Sequence, residues 1–380
     1  MSPIEDTLKI LQLISSSGFY GAEGVVLNLS CGLRDLGCDM TLGVFNARSP
    51  ENVDFVDAAQ LRSLEVWNLP CKSRTDLLAV AKLAQYLRHT GTAIIHTHGY
   101  KADAYGYFAS RVAPCRAVAT CHNWTNRTSA LLSYGRVDKL LLRQFDQVIA
   151  VSENVQSMLF QSGFTPDQIA LVHNGIDTAH FRRLVGLMEP AEPFRIGALS
   201  RLSAEKGMDV LVRALPLVLR RFPQATCVIA GEGAQREQLT SLASKLGVSH
   251  ALTLQGFCSG TAQFLSRCAV VAHPSRMDGM PLAILEAMSA GKAIVASNVG
   301  EIPLLLDHGK AGILVPPGSP EALAGGLVCM LENDAERKHY GDAAQMRARK
   351  LYDSAAMARE YLSLYEQCTN DVFALTAQMD

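Results

Sequence analysis

The stretch Arg276-Met277-Asp278-Gly279-Met280-Pro281-Leu282-Ala283-Ile284-Leu285-Glu286 puts one carboxylate in a polar loop and a second, eight positions on, inside an apolar helical pattern. A core-facing helix excludes Glu unless its charge meets a polar partner. A helix start near Met280 or Pro281 suits proline in the first turn and leaves the amides of Gly279 to Leu282 free to bind an anion. Glu286 then lies roughly 8 Å along the axis from that start. One carboxylate can accept sugar hydroxyls on one side of a diphosphate and the other ribose hydroxyls on the opposite side. The plainer alternative is two unrelated acids, with Asp278 a favourable charge at a helix N-terminus.

The cations such a ligand needs occur in GALSRLSAEKGMDV, where Arg201 and Lys206 flank a short loop before a helix. A planar guanidinium fork and a compact ammonium suit a diphosphate whose charge grows as it leaves. A solvated basic loop would look the same in isolation. His122 follows the strand AVATC, the usual position of a ligand-facing group. SSSGFYGAEG brings Gly18, Gly21 and Gly24 to a helix start, as a phosphate loop or as a tight turn. His96 and His98 share one strand face, but two histidines without a third convergent ligand do not make a zinc site.

These loops need a frame. From LKILQLISS onward, short β-rich runs alternate with amphipathic helices, the first over Glu23 to Leu36 with Val25, Leu29, Leu33 and Leu36 on one face. Strands are expected at Met40 to Phe45, Ala93 to Thr97, Ala117 to Cys121, Gln147 to Val151 and Ile169 to His173. The pattern fails beyond Asp177 and restarts with FRIGALS, ATCVIAGEG, ALTLQG, AVVAHPS, AIVASN and GILVPP. The fold class is α/β: two Rossmann-like, doubly wound parallel-sheet domains, at 1–185 and 194–355, joined by a linker at 186–193. A helix and tail at 356–380 are expected to pack toward the first domain.

At 380 residues, 48% hydrophobic and 19% charged, the chain is globular and large enough for two domains, and a net charge of -1 argues against nucleic acid as a partner. MSPIEDTLKI lacks the order of a secretory signal, no apolar run is long enough to span a bilayer, and ten scattered cysteines suit a reducing compartment. The expectation is a cytoplasmic protein. SYGRVDKLLLRQF, with Arg136, Lys139 and Arg143 among leucines, leaves room for peripheral contact at the inner face of a membrane, although ordinary packing explains it equally well.

Taken together, GAE (Gly21 to Glu23), His122, IAVSE, HNGID, SRLSAEKG, IAGEG, the segment Asp278 to Glu286, and GILVPPGSPEAL resemble the retaining glycosyltransferases of family 4 over nearly the whole chain. The resemblance implies the two-domain GT-B fold, with an acceptor-side first domain, a nucleotide-sugar donor domain and a cleft between them. It implies that Arg201 and Lys206 hold the donor diphosphate and Glu286 its ribose. The loop of Asp278, Gly279, Met280, Pro281 and Leu282 would meet the transferred sugar and phosphates. His122 would lie near the reacting carbon, Gly256 and Phe257 would border the nucleobase, and Gly21 would let the backbone approach the phosphates. Asn174 and Asp177 would close the cleft.

His122, Asp278, Arg201 and Lys206 are the catalytic candidates under that resemblance, and the donor is most commonly a uridine nucleotide sugar. The acceptor would be a glycan, lipid-linked or small-molecule hydroxyl. No metal or other cofactor is implied, the nucleotide sugar being a substrate. Two departures stand out: Asp278 replaces the family's usual Glu, and Tyr20 and Gly24 flank GAE where relatives often carry Gly and Arg. A nucleotide-sugar epimerase of the same architecture and a non-catalytic sugar-nucleotide binder are the competing expectations. A dehydrogenase is disfavoured because neither domain carries Gly-x-Gly-x-x-Gly after its first strand.

Overall fold

A computed structural model of the chain describes residues 7–15, 21–73, 75–122, 138–189, 191–258 and 260–376, with side chains to residue 370. Gly18, Tyr20 and Arg136 lie outside these residues. Contacts divide the chain into two compact units, 1–175 with 354–380, and 176–353.

The first unit is built on seven parallel strands: β1 (Lys9–Ile14), β2 (Asp39–Phe45), β3 (Glu65–Leu69), β4 (Ile94–His98), β5 (Arg116–Cys121), β6 (Gln147–Ala150) and β7 (Ile169–Leu171), in the order β3-β2-β1-β4-β5-β6-β7. Most are apolar runs buried on both faces, as a doubly wound sheet requires. β3 is the strand that the apolar pattern does not announce. It lies at the sheet edge, where of EVWNL only Leu69 is fully buried. The first helix runs Gly21–Asp35, one turn of chain earlier than its apolar stripe begins; Val25, Leu29 and Leu33 are buried, whereas Leu36 lies past its end and is 39% exposed.

The second unit holds six parallel strands: β8 (Arg195–Leu199), β9 (Thr226–Ala230), β10 (Leu252–Gly256), β11 (Val270–His273), β12 (Ala293–Ser297) and β13 (Ile313–Val315), ordered β10-β9-β8-β11-β12-β13. Alternate residues feed opposite cores. Ile196, Ala198, Val270 and Ala272 pack on one side with the helix Met208–Arg221, and Leu199, Val228, Val271 and Ala296 on the other with the helix Leu282–Ser289. Order reverses between β8 and β11. In doubly wound sheets such a reversal, at the strands' carboxyl ends, is where ligands bind.

The chain leaves the first unit after Gly175, so the helix Thr178–Gly186 belongs to the second, where Phe181 and Val185 pack against its core. The segment expected as linker, 186–193, therefore begins at the last residue of a helix inside that unit. The chain returns to the first unit at Ser354. There the helix Ser354–Thr376 lies so close to Gly21–Asp35 that a Cβ built on Gly32 would stand 2.6 Å from that of Ala358.

Candidate active site

The crevice between β8 and β11 is lined by the two loops that carry the sequence's cations and acids. Lys206 Nζ donates to Asp278 Oδ2 at 2.7 Å, and that same oxygen is approached by His273 Nε2 at 2.9 Å and Ser275 Oγ at 3.0 Å. The Asp278 side chain is 8% exposed and that of Lys206 17%. Burial opposes the Asp278 charge, yet the hydrogen bond from His273 and the His273 and Lys206 charges hold its carboxyl well below the usual carboxylate range.

The two loops are locked by backbone as much as by charge. Gly207 has φ +64°, and a Cβ there would stand 2.1 Å from the Pro274 carbonyl oxygen, so only glycine allows the approach. Arg276 grips both Asp209 oxygens at 2.7 Å, and the amides of Arg276 and Met277 donate to the Glu205 carbonyl at 2.8 and 3.2 Å. On the far side Gly300, φ +54°, fits beneath the Asp278 carbonyl, where a Cβ would come within 1.9 Å. Arg201 stays half-exposed on the same loop as Lys206, its Nη2 3.5 Å from Glu205 Oε1.

The helix after the second loop spans Leu282–Ser289, with Pro281 at its N-cap in extended conformation and no side chain capping it. It starts one or two residues later than expected, because proline's φ of -74° is paired with a ψ of 119°. Met280 and Leu282 pack toward the core, and Gly279 offers its carbonyl to the Glu301 amide at 3.3 Å. Glu286 sits one turn in. The polar neighbour it demands is Thr261, whose hydroxyl donates at 3.3 Å; burial nevertheless pushes the carboxyl up to about 7, with the Thr261 hydrogen bond working in the other direction. Gly256 ends β10 with φ +88°, and Phe257 just beyond it is 54% exposed, a free aromatic face at the same end of the sheet.

In the first unit the strand order reverses between β1 and β4. His122 immediately follows β5, and its Nε2 lies 3.2 Å from His98 Nδ1. His98 Nε2 is 2.7 Å from Gln12 Oε1, and Gln12 Nε2 donates to the Tyr365 hydroxyl at 3.2 Å. That hydroxyl is 2.6 Å from His96 Nδ1, His96 Nε2 is 2.7 Å from Thr120 Oγ1, and Thr120 meets the Tyr361 hydroxyl at 3.1 Å. His96 and His98 are thus engaged by hydroxyl, amide and imidazole groups. Burial lowers the pKa of His96 to about 3, with His122 adding to the effect; burial alone lowers that of His122 to about 4, so all three rings are uncharged at neutral pH when His98, also pushed well down by burial and its two neighbours, is included.

Gly21 opens the helix Gly21–Asp35. Asn174 is buried in the first unit, its Oδ1 without a hydrogen-bond partner among the described residues. Asp177 belongs to the second unit and caps the helix Thr178–Gly186, accepting the His180 amide at 2.8 Å. Sequence reasoning missed His273 and Ser275, Asp278's own partners, although both stand in the strand run AVVAHPS that leads into its loop. It also missed Gln12, Thr120, Tyr361 and Tyr365, which nothing in their local sequence ties to His122.

Solved structures share this architecture. Anabaena HepE, crystallised with UDP and with UDP-glucose, is 25% identical with a TM-score of 0.80 over 95% of this chain and 100% of its own. A glycosyltransferase from Rickettsia africae ESF-5, 19% identical, also has a TM-score of 0.80 over 96% of this chain and 99% of its own. The class is the GT-B glycosyltransferase fold. Residues 19–180 match the model of Glycosyltransferase Family 4 and residues 187–347 that of Glycosyl transferases group 1, and the chain belongs to this family. Phosphatidyl-myo-inositol mannosyltransferase of Mycobacterium tuberculosis is 30% identical over 75% of this chain and 76% of that protein. An uncharacterized glycosyltransferase of Methanocaldococcus jannaschii is 32% identical over 58% of this chain, which spans 60% of its length.

Proposed function

We propose that the chain transfers a hexose-type sugar from a uridine diphosphate donor to a hydroxyl of a glycan, lipid-linked or small-molecule acceptor, with retention at the anomeric carbon. The observation that carries this is the second unit's switch point, which gathers Lys206, Arg201, an uncapped helix start and an under-partnered carboxylate, Glu286, at one crevice. HepE's complexes with UDP and UDP-glucose support the choice of uridine.

In this scheme Lys206, Arg201 and the amides at the start of Leu282–Ser289 take up the charge that develops as the diphosphate leaves. The bond from the anomeric carbon to the phosphate oxygen breaks, a bond to the acceptor oxygen forms on the same face, and the acceptor's proton passes to the departing phosphate oxygen. Side-chain cations fill the part that a metal plays in other transferases, so activity is expected to survive chelation. Asp278 holds Lys206 in place through Oδ2, and its other oxygen faces the sugar hydroxyls. His122 meets the transferred sugar, and Phe257 stacks on the base.

No helix among the described residues is long and apolar enough to cross a membrane, and we place the enzyme in the cytoplasm with any lipid-linked acceptor met peripherally. A thermal-shift screen of UDP, GDP and ADP sugars, followed by mass analysis of transfer to mixed acceptors, tests the proposal. UDP sugars are expected to stabilise the protein, and Lys206→Ala or Arg201→Ala to lose transfer by at least ~100-fold while remaining folded. Wild-type turnover in either variant overturns the assignment. Release of nucleotide with an altered sugar and no acceptor would identify an epimerase instead, and donor binding without turnover a non-catalytic relative.

A further inference from the structure

We propose that Gln12 and His98 are positioning residues that hold His122 in its Nε2-protonated tautomer, so that Nδ1 presents a lone pair to the donor sugar. The proposal rests on the reading that His122 meets that sugar.

The argument is one of donors and acceptors. Gln12 lies on β1 and His98 at the end of β4, neighbouring parallel strands in which Gln12 stands opposite His96 and Ile14 opposite His98. An amide oxygen only accepts, so His98 Nε2, 2.7 Å from Gln12 Oε1, carries the ring's proton. An uncharged imidazole has one proton, which leaves His98 Nδ1 bare. His122 Nε2, 3.2 Å away, must then donate to it, and His122 Nδ1 is left with its lone pair. Burial keeps the rings uncharged, since His96 is fully buried and His98 2% exposed.

Gln12's orientation is set from behind. Its amino group donates to the Tyr365 hydroxyl, which gives its own proton to His96 Nδ1; His96 then donates from Nε2 to Thr120, and Thr120 to Tyr361. Donation then runs one way along the row, from His122 through His98, Gln12, Tyr365, His96 and Thr120 to Tyr361. The consequence for transfer is electrostatic. As the diphosphate departs, positive charge builds on the anomeric carbon and ring oxygen, and a lone pair stabilises it where an N–H would repel it. The same lone pair accepts a sugar hydroxyl's hydrogen bond.

The test is ring nitrogen NMR on the full chain labelled with 15N-histidine, with His122 assigned from the spectrum of His122→Gln. At pH 7 the wild type is expected to show His122 protonated on Nε2 alone. Gln12→Leu should average or invert that pattern and cut kcat about 10- to 100-fold, with the KM for UDP-glucose within about 2-fold. Gln12→Glu, which keeps an acceptor for His98 Nε2, should restore the Nε2-protonated pattern and part of kcat. An Nδ1-protonated His122 in the wild type overturns the proposal, as does an unchanged tautomer in Gln12→Leu. The wild-type spectrum decides even where a variant fails to fold. Full transfer by His122→Ala would instead overturn the role of His122 at the sugar, whatever its tautomer.

Discussion

Glu286 offers a donor-binding prediction with a magnitude. Its carboxyl is held at about 7 because burial outweighs the hydrogen bond from Thr261. A ribose diol donates two hydrogen bonds best to an ionised carboxylate, so only the ionised form binds the donor at full strength. Half the population is ionised at pH 7 and about one-eleventh at pH 6, which makes binding about 10-fold weaker at pH 6 than at pH 8, or about 1.4 kcal/mol. The direction is fixed: affinity rises with pH because the bound state carries fewer protons, and roughly half a proton is released per ligand at pH 7. Calorimetry with UDP-glucose in buffers of differing ionisation enthalpy measures both quantities. A diphosphate esterified at both ends does not titrate in this range, whereas free UDP does. His96 at about 3 and His122 at about 4 are already neutral there. Glu286→Gln should bind more weakly with no slope between pH 6 and 8. Equal affinity at the two pH values, or a slope that survives in Glu286→Gln, would refute the reasoning.

Three further outcomes follow from contacts within each unit. Asp278→Ala strips Lys206 and the buried His273 of their acceptor and should destabilise the second unit by about 3–5 kcal/mol. Because the native carboxyl is depressed, that contribution is present at neutral pH and lost as pH falls through and below about 4, so unfolding curves of variant and wild type should converge in acid. Gly207→Ala combines φ +64° with a collision against the Pro274 carbonyl; a loss of at least ~1–2 kcal/mol and weakened UDP-glucose binding are expected in thermal shift, and wild-type affinity would contradict the locked-loop account. Gly32→Leu should push the helix Ser354–Thr376 off the first unit, read as rapid amide exchange around Tyr361 and Tyr365.

How much of this was legible in the chain depends on how local the signal is. Buried parallel strands announce themselves as apolar runs, and six of the first unit's seven, all but β3, are legible that way. β3 escaped because an edge strand needs only one fully buried residue, Leu69. The helix Thr178–Gly186 escaped because Gly186, Pro190 and Pro193 interrupt the pattern, while Phe181 and Val185 supply its packing against the core. Lys206 and Asp278 were each legible as candidates, but their pairing across 72 residues was not. The engagement of His96 by Tyr365 spans 269 residues and leaves no trace in spacing. Periodicity reports which face is buried; it says nothing of which polar group waits on the other side.

The helix Ser354–Thr376 has a consequence for how the chain is made. Tyr361 and Tyr365, which meet Thr120, His96 and Gln12 in the first unit, are synthesised only after the whole second unit has emerged. On the ribosome the first unit therefore cannot finish folding in order of appearance, as N-terminal domains usually do. Its histidines must wait, half-solvated, for the last stretch of helix to arrive. A nascent chain that stalls before residue 361 would carry an unfinished histidine row, so the polar interior of the first unit depends on residues translated after the second.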